Sequence, residues 1–118
     1  MKAKPVKLVP GSGYIECPIA ECTHVKIHFP GPSSIIVLPV ILKGKRNGTQ
    51  CWSWNGDTER PTLRPSVETQ GNDYEGDPED PANWTEYRCH SWVTDGKAQF
   101  LNDSTHELRG KTVDLIDL

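Results

Sequence analysis

Tyr87-Arg88-Cys89-His90-Ser91-Trp92-Val93-Thr94-Asp95-Gly96-Lys97-Ala98-Gln99-Phe100-Leu101 is the stretch that decides the fold class of this chain. Asp-Gly between alternating apolar and polar residues is the strongest short-range signal for a β-hairpin, because a tight hairpin turn requires positive φ at both central residues. A two-residue turn pairs Thr94 with Lys97 and, counting back, sets Cys89 opposite Asn102. Successive side chains on a strand point to opposite faces. Cys89, Ser91 and Val93 therefore share a face with Ala98 and Phe100, and this face is expected inward. His90 and Trp92 fall on the other face with Gln99 and Leu101.

Working outward, His24 to Phe29 alternates in the same way, with Val25, Ile27 and Phe29 on the buried side. Ile35 to Leu42 is dense in β-branched residues and reads as a buried strand, with Pro39 at a bulge or edge. Val6 to Val9 reads as a short edge strand before the Pro10-Gly11-Ser12-Gly13 turn, and Tyr14 to Glu16 follows it. Lys43 to Gly48 reads as a polar turn. Gln50 to Trp54 is strand-like and ends at the turn signal Asn55-Gly56. Arg60 to Ser66, with two prolines, reads as an extended loop, and Thr112 to Leu118 as a final strand. Ser104 to Arg109 has the capping pattern of a single helical turn. The expectation is a mainly β protein: one compact antiparallel domain over residues 1–118, with long loops and little helix.

Composition agrees with short strands and many turns. Only 35% of the 118 residues are hydrophobic, and ten prolines and ten glycines punctuate them. So lean a core gains from a staple such as a metal ion. The chain opens on mixed sequence, and its longest apolar run, Ile35 to Leu42, is too short to span a bilayer. A soluble intracellular protein keeps its thiols reduced, which favours metal binding over disulfides for the four cysteines. Seven acids and no Lys or Arg lie between Glu68 and Glu86, and residues 68–86 are expected to form a mobile acidic loop.

Cys17-Pro18-Ile19-Ala20-Glu21-Cys22 places two thiols at a spacing close to that of zinc loops. Cys89 is the candidate third ligand and His106 the fourth, with His90 or His24 as alternatives. Cys51, beside Trp52 in a strand, reads instead as a small buried hydrophobe.

The ordered blocks Cys17-Pro18 to Cys22 with His24, Trp52-Ser53-Trp54-Asn55-Gly56-Asp57, Pro61-Thr62-Leu63-Arg64-Pro65-Ser66, Cys89 to Gly96 and Phe100 to Leu108 resemble a family of small proteins. Its members are common in bacteriophages, prophages and bacterial genomes and are grouped as a domain of unknown function. The resemblance implies zinc binding and a mobile-element setting, and it implies no reaction. Relatives usually have a tighter Cys-Pro-x-Cys opening, so the two extra residues before Cys22 are a departure.

Three functions follow as expectations. The first is a zinc-stabilised phage or prophage accessory protein that binds an unidentified host or phage protein. Its surface would include Trp52, Trp54, Arg60 and Arg64, the residue types that anchor interfaces. It would work in the cytoplasm of the infected bacterium or in the virion, with no membrane partner. The second is a zinc-dependent hydrolase with an open metal position near His90, His106 and Asp103. Asp103 or Asp57 would then be the base, Ser66 or Thr105 would orient substrate, and His90 or His106 would serve as ligand or acid. The third is nucleic-acid binding through Lys2, Lys4, Lys7, Lys26, Lys43, Lys45 and Arg46.

Overall fold

The computed structural model describes residues 1–31, 34–41 and 50–118. Its strands are β1 (Ala3–Val9), β2 (Gly13–Glu16), β3 (His24–His28), β4 (Ile35–Ile41), β5 (Trp52–Trp54), β6 (Leu63–Tyr74), β7 (Trp84–Thr94), β8 (Lys97–Phe100) and β9 (Thr112–Asp114). They form one sheet in the order β2-β1-β3-β4-β5-β6-β7-β8-β9. Helix is confined, among the described residues, to two 3-10 turns, Ile19–Glu21 and Pro81–Asn83.

The β7–β8 hairpin forms in the expected register, with Thr94 opposite Lys97 and Ser91 opposite Phe100. Asp95 (φ +50°) and Gly96 (φ +76°) both take the left-handed conformation that this turn needs. Gly96 is also closely packed: a Cβ there would lie 3.1 Å from the Glu59 carbonyl oxygen. Its N–H donates to Pro61 O at 2.9 Å, and its carbonyl accepts from Leu115 N–H at 3.0 Å. Residues before β6 and after β9 are thereby tied to one turn.

The inward faces carry the core. Val25 and Ile27 from β3, Val40 from β4, Leu63 from β6, and Val93, Ala98 and Phe100 from β7 and β8 are almost completely buried. Phe29, just past β3, tilts against Phe100 at 6.3 Å between ring centres, so opposite halves of the sheet meet across the interior. The C-terminal tail binds the same halves together. Ile116 N–H donates to His28 O at 3.0 Å, and Leu118 N–H to Met1 O at 2.8 Å.

Several local expectations are corrected. The sheet is mixed, because β4 and β5 run parallel, with Val40 opposite Trp52. β1 is not an edge strand: Gly11 and Gly13, both at positive φ, fold β2 back along its free side. The acidic stretch 68–86 is mostly strand. β6 and β7 pair continuously from Val67↔Ser91 to Tyr74↔Trp84, leaving only residues 75–83 as connection. Charge did not prevent pairing there, because such a two-stranded ribbon lets carboxylates such as that of Glu86, 71% exposed, stay in water. Leu63 to Ser66, expected as loop, begins β6. Ser104 caps no helix; its hydroxyl is bound to the backbone of β7. The turn expected over Lys43 to Gly48 lies outside the described residues, as do Lys43, Lys45 and Arg46.

Candidate active site

The alternation that buries Cys89, Ser91 and Val93 turns His90 and Trp92 to the outer face of the sheet. On β6, Val67 is buried, so Ser66 and Glu68 face the same way as His90. Glu68 lies directly opposite His90, and Ser66 is its diagonal neighbour. A register shift between Leu63 and Val67 bends β6 at this point, and such irregularities re-aim side chains. Trp52, from β5, holds the Ser66 backbone by donating its indole N–H to Ser66 O at 3.2 Å.

Ser66, His90 and Asp103 form one chain of hydrogen bonds. The Ser66 hydroxyl donates to His90 Nε2 at 2.8 Å. His90 Nδ1–H donates to Asp103 Oδ2 at 2.9 Å, with Oδ1 at 3.2 Å. A carboxylate only accepts, so Asp103 places the imidazole proton on Nδ1 and leaves the Nε2 lone pair facing the hydroxyl. Asp103 is held below the usual carboxylate range, first by the hydrogen bond from His90 and further by the charge of Arg88. Arg88 Nη1 lies 3.7 Å from Oδ2, and its Nε lies 3.3 Å from Glu68. The His90 side chain is 19% exposed and that of Asp103 43%, so the assembly is open to a substrate approaching the outer face.

This geometry is that of an acyl-transfer catalyst: a hydroxyl nucleophile, a base within hydrogen-bond reach, and a third group orienting the base. A family model described as the serine protease of a bacterial ubiquitination-like system, BubE, matches residues 4–101. The chain belongs to this family. The BubE match covers Ser66 and His90 and stops two residues short of Asp103. No curated protein and no solved structure gave a significant match to the chain.

The remaining candidate residues have other surroundings. Asp57 is taken up by the backbone N–H groups of Arg60 and Glu59, which lower its pKa. Thr105 is bonded to the Arg88 backbone. His106 stands edge-on to Phe100 at 4.7 Å and donates Nε2–H to Cys89 Sγ at 3.3 Å, while its Nδ1 accepts from Leu108 N–H. Burial lowers the pKa of His106, which favours its neutral form. His24 is bonded to Thr23 Oγ1 at 2.7 Å and sits against Tyr14.

Trp52 and Trp54, expected on a binding surface, are 8% and 6% exposed. Their shared face packs into the core, so they offer no interface. Arg64 donates to Leu63 O and Val93 O and lies over the Trp92 ring at 5.1 Å. Arg60 lines an open polar cleft with Lys2, Glu59 and Lys97.

The zinc-ligand candidates stand as separate pairs. Cys22 is buried and Cys17 half-buried, and the Cys22 thiol is pushed up, first by burial and then by the nearness of Cys17. Cys89 is paired with His106, which stands against Phe100 of β8. Among the described residues, no three His, Cys, Asp or Glu gather into a group able to hold a metal ion. No step below passes through a metal ion.

Sequence reading reached His90 and Asp103 as chemistry-bearing residues and Ser66 only as a substrate-orienting one. The available signal was the shared outward parity of His90 and the Ser66 strand. Two prolines around Ser66 suggest a loop, in which a side chain has no defined face.

Proposed function

We propose that this protein is a serine hydrolase that cleaves a peptide-type acyl bond, with Ser66 as nucleophile, His90 as general base and acid, and Asp103 as the orienting carboxylate. The observation that carries the reading is the continuous chain of hydrogen bonds from Ser66 Oγ through both nitrogens of His90 to Asp103.

A serine hydroxyl is a weak nucleophile until a base removes its proton as it attacks. His90 Nε2 is placed to accept that proton as Ser66 Oγ bonds to the substrate carbonyl carbon. The resulting imidazolium is stabilised by the Asp103 carboxylate. Collapse of the tetrahedral intermediate then expels the amine, which takes the proton from His90 Nε2. Water, activated by the same nitrogen, hydrolyses the acyl-enzyme and restores Ser66. Family membership supports a place for this hydrolase in a bacterial ubiquitination-like system, the setting that the family's description names for a serine protease. The zinc and the mobile-element setting implied by the sequence resemblance are separate proposals on which this chemistry does not depend.

The test is covalent labelling with a fluorophosphonate probe. The wild-type protein should gain one adduct, located by mass spectrometry on Ser66. Ser66→Ala should lose labelling by about 10⁴-fold or more, the scale seen when a triad nucleophile is removed, with an unchanged melting temperature. Equal labelling of both proteins would overturn the assignment.

A further inference from the structure

We infer that Ser104 is a positioning residue for this site: it acts through Asp103 without touching the reacting atoms, by anchoring the turn that carries Asp103 to the backbone of His90. The inference rests on the hydrolytic reading above.

β8 ends at Phe100, so the part of β7 before Ser91 has no β8 strand residue opposite it. The chain stays alongside β7 nonetheless. Leu101 N–H donates to His90 O at 2.8 Å, and Ser104 N–H donates to Leu101 O at 3.1 Å, which closes Leu101 to Ser104 into a turn. The far end of that turn is fixed by a side chain. Ser104 Oγ accepts from His90 N–H at 3.0 Å and donates to His90 O at 3.1 Å. One hydroxyl thus accepts the His90 N–H, which has no strand partner opposite it, and shares the His90 carbonyl with Leu101 N–H. Thr105 repeats the device on Arg88: Oγ1 accepts from Arg88 N–H at 3.0 Å, and its own N–H donates to Arg88 O at 2.9 Å.

Asp103 occupies the turn between Leu101 and Ser104. Both ends of the turn bind the same residue whose imidazole Asp103 must meet. The Asp103 carboxylate is 43% exposed and would otherwise be free to turn to water. Ser104 is only 3% exposed, so solvent cannot readily replace its hydroxyl. The anchor converts a mobile surface carboxylate into an oriented one, the requirement for a group that orients a catalytic base.

The experiment measures labelling of Ser66 by the fluorophosphonate in the full chain, resolved into probe affinity and inactivation rate. Ser104→Ala should slow inactivation by about tenfold, the rate equivalent of one neutral hydrogen bond, with probe affinity unchanged. Ser104→Thr, which keeps the hydroxyl, should recover most of the rate. The decisive comparison is with Asp103→Asn. If Ser104 acts through Asp103, the double variant D103N/S104A is no slower than D103N alone. A wild-type rate in Ser104→Ala, or a double variant slower than D103N by the full single-variant factor, overturns the inference. Should Ser104→Ala fail to fold, Thr105→Ala, at an exposed position, carries the same comparison with a smaller loss. Wild-type protein that takes no label at Ser66 would instead remove the hydrolytic reading itself.

Discussion

Replacing Asp103 by asparagine changes the site by one atom and removes its counter-charge. The new amide could meet His90 Nδ1 with its carbonyl oxygen, keeping a neutral hydrogen bond but losing stabilisation of the imidazolium. It could also present its NH₂ group, forcing the imidazole proton to Nε2, where His90 would face Ser66 as a donor and not as a base. In an enzyme whose triad aspartate is buried, the equivalent change costs about 10⁴ in kcat. Here the carboxylate is 43% exposed, and Arg88 Nη1 lies 3.7 Å from the oxygen that His90 uses, so solvent and a neighbouring cation screen its charge. Coulomb attraction between unit charges about 4 Å apart, screened to an effective dielectric between protein surface and water, corresponds to a rate factor of about five to about a thousand. The expected loss is therefore about 5- to 1000-fold, smaller than for a buried triad. The assay is the second-order rate of fluorophosphonate labelling across pH, with intact-mass confirmation of the adduct. A variant that labels at the wild-type rate across pH would refute the role given to Asp103.

Two further outcomes follow. Asp57 and Asp114 have carboxyls held below the ordinary 3.8, Asp57 by N–H groups of Arg60 and Glu59 and Asp114 by Lys97 and then Lys2. Depressed native values mean the unfolded chain protonates first, so their stabilisation is complete well above pH 3.8 and is lost as pH falls through the native values. Asp57→Asn, whose amide oxygen can still accept both N–H groups, should reduce the fall in melting temperature between about pH 5 and about pH 3 and leave Ser66 labelling unchanged; lost labelling would return Asp57 to candidacy as the base. Treatment with EDTA should leave Ser66 labelling intact, since no triad atom serves as a ligand in the arrangement described; one zinc per chain by metal analysis, lost together with labelling in Cys89→Ser, would contradict this.

The parts of the molecule legible in sequence were those set by local rules. The Asp95-Gly96 turn and the period of two placed every residue of β8 and the inner residues of β7 on the correct face, and the same alternation found β3. The catalytic arrangement depends on longer-range facts. Ser66 reaches His90 because β6 pairs with β7 through a shifted register between Leu63 and Val67, and the two prolines there suggested a loop. Asp103 reaches His90 because hydroxyls of Ser104 and Thr105 replace a strand, a pattern with no periodic signature. The cysteines also drew the histidines toward a metal reading, although His90 is engaged on both nitrogens by oxygen partners.

The interleaving on β7 carries a consequence for how such a protein can change. Odd-numbered positions from Cys89 to Val93 hold the interior together, and the even-numbered His90 between them carries the imidazole of the proposed triad. Inserting one residue between the Asp95-Gly96 turn and His90 would exchange the two sets, burying the imidazole and exposing a thiol. Folding and turnover are thus written on alternate letters of the same short word, and length variation is tolerable only where the reading frame of the strand is not disturbed.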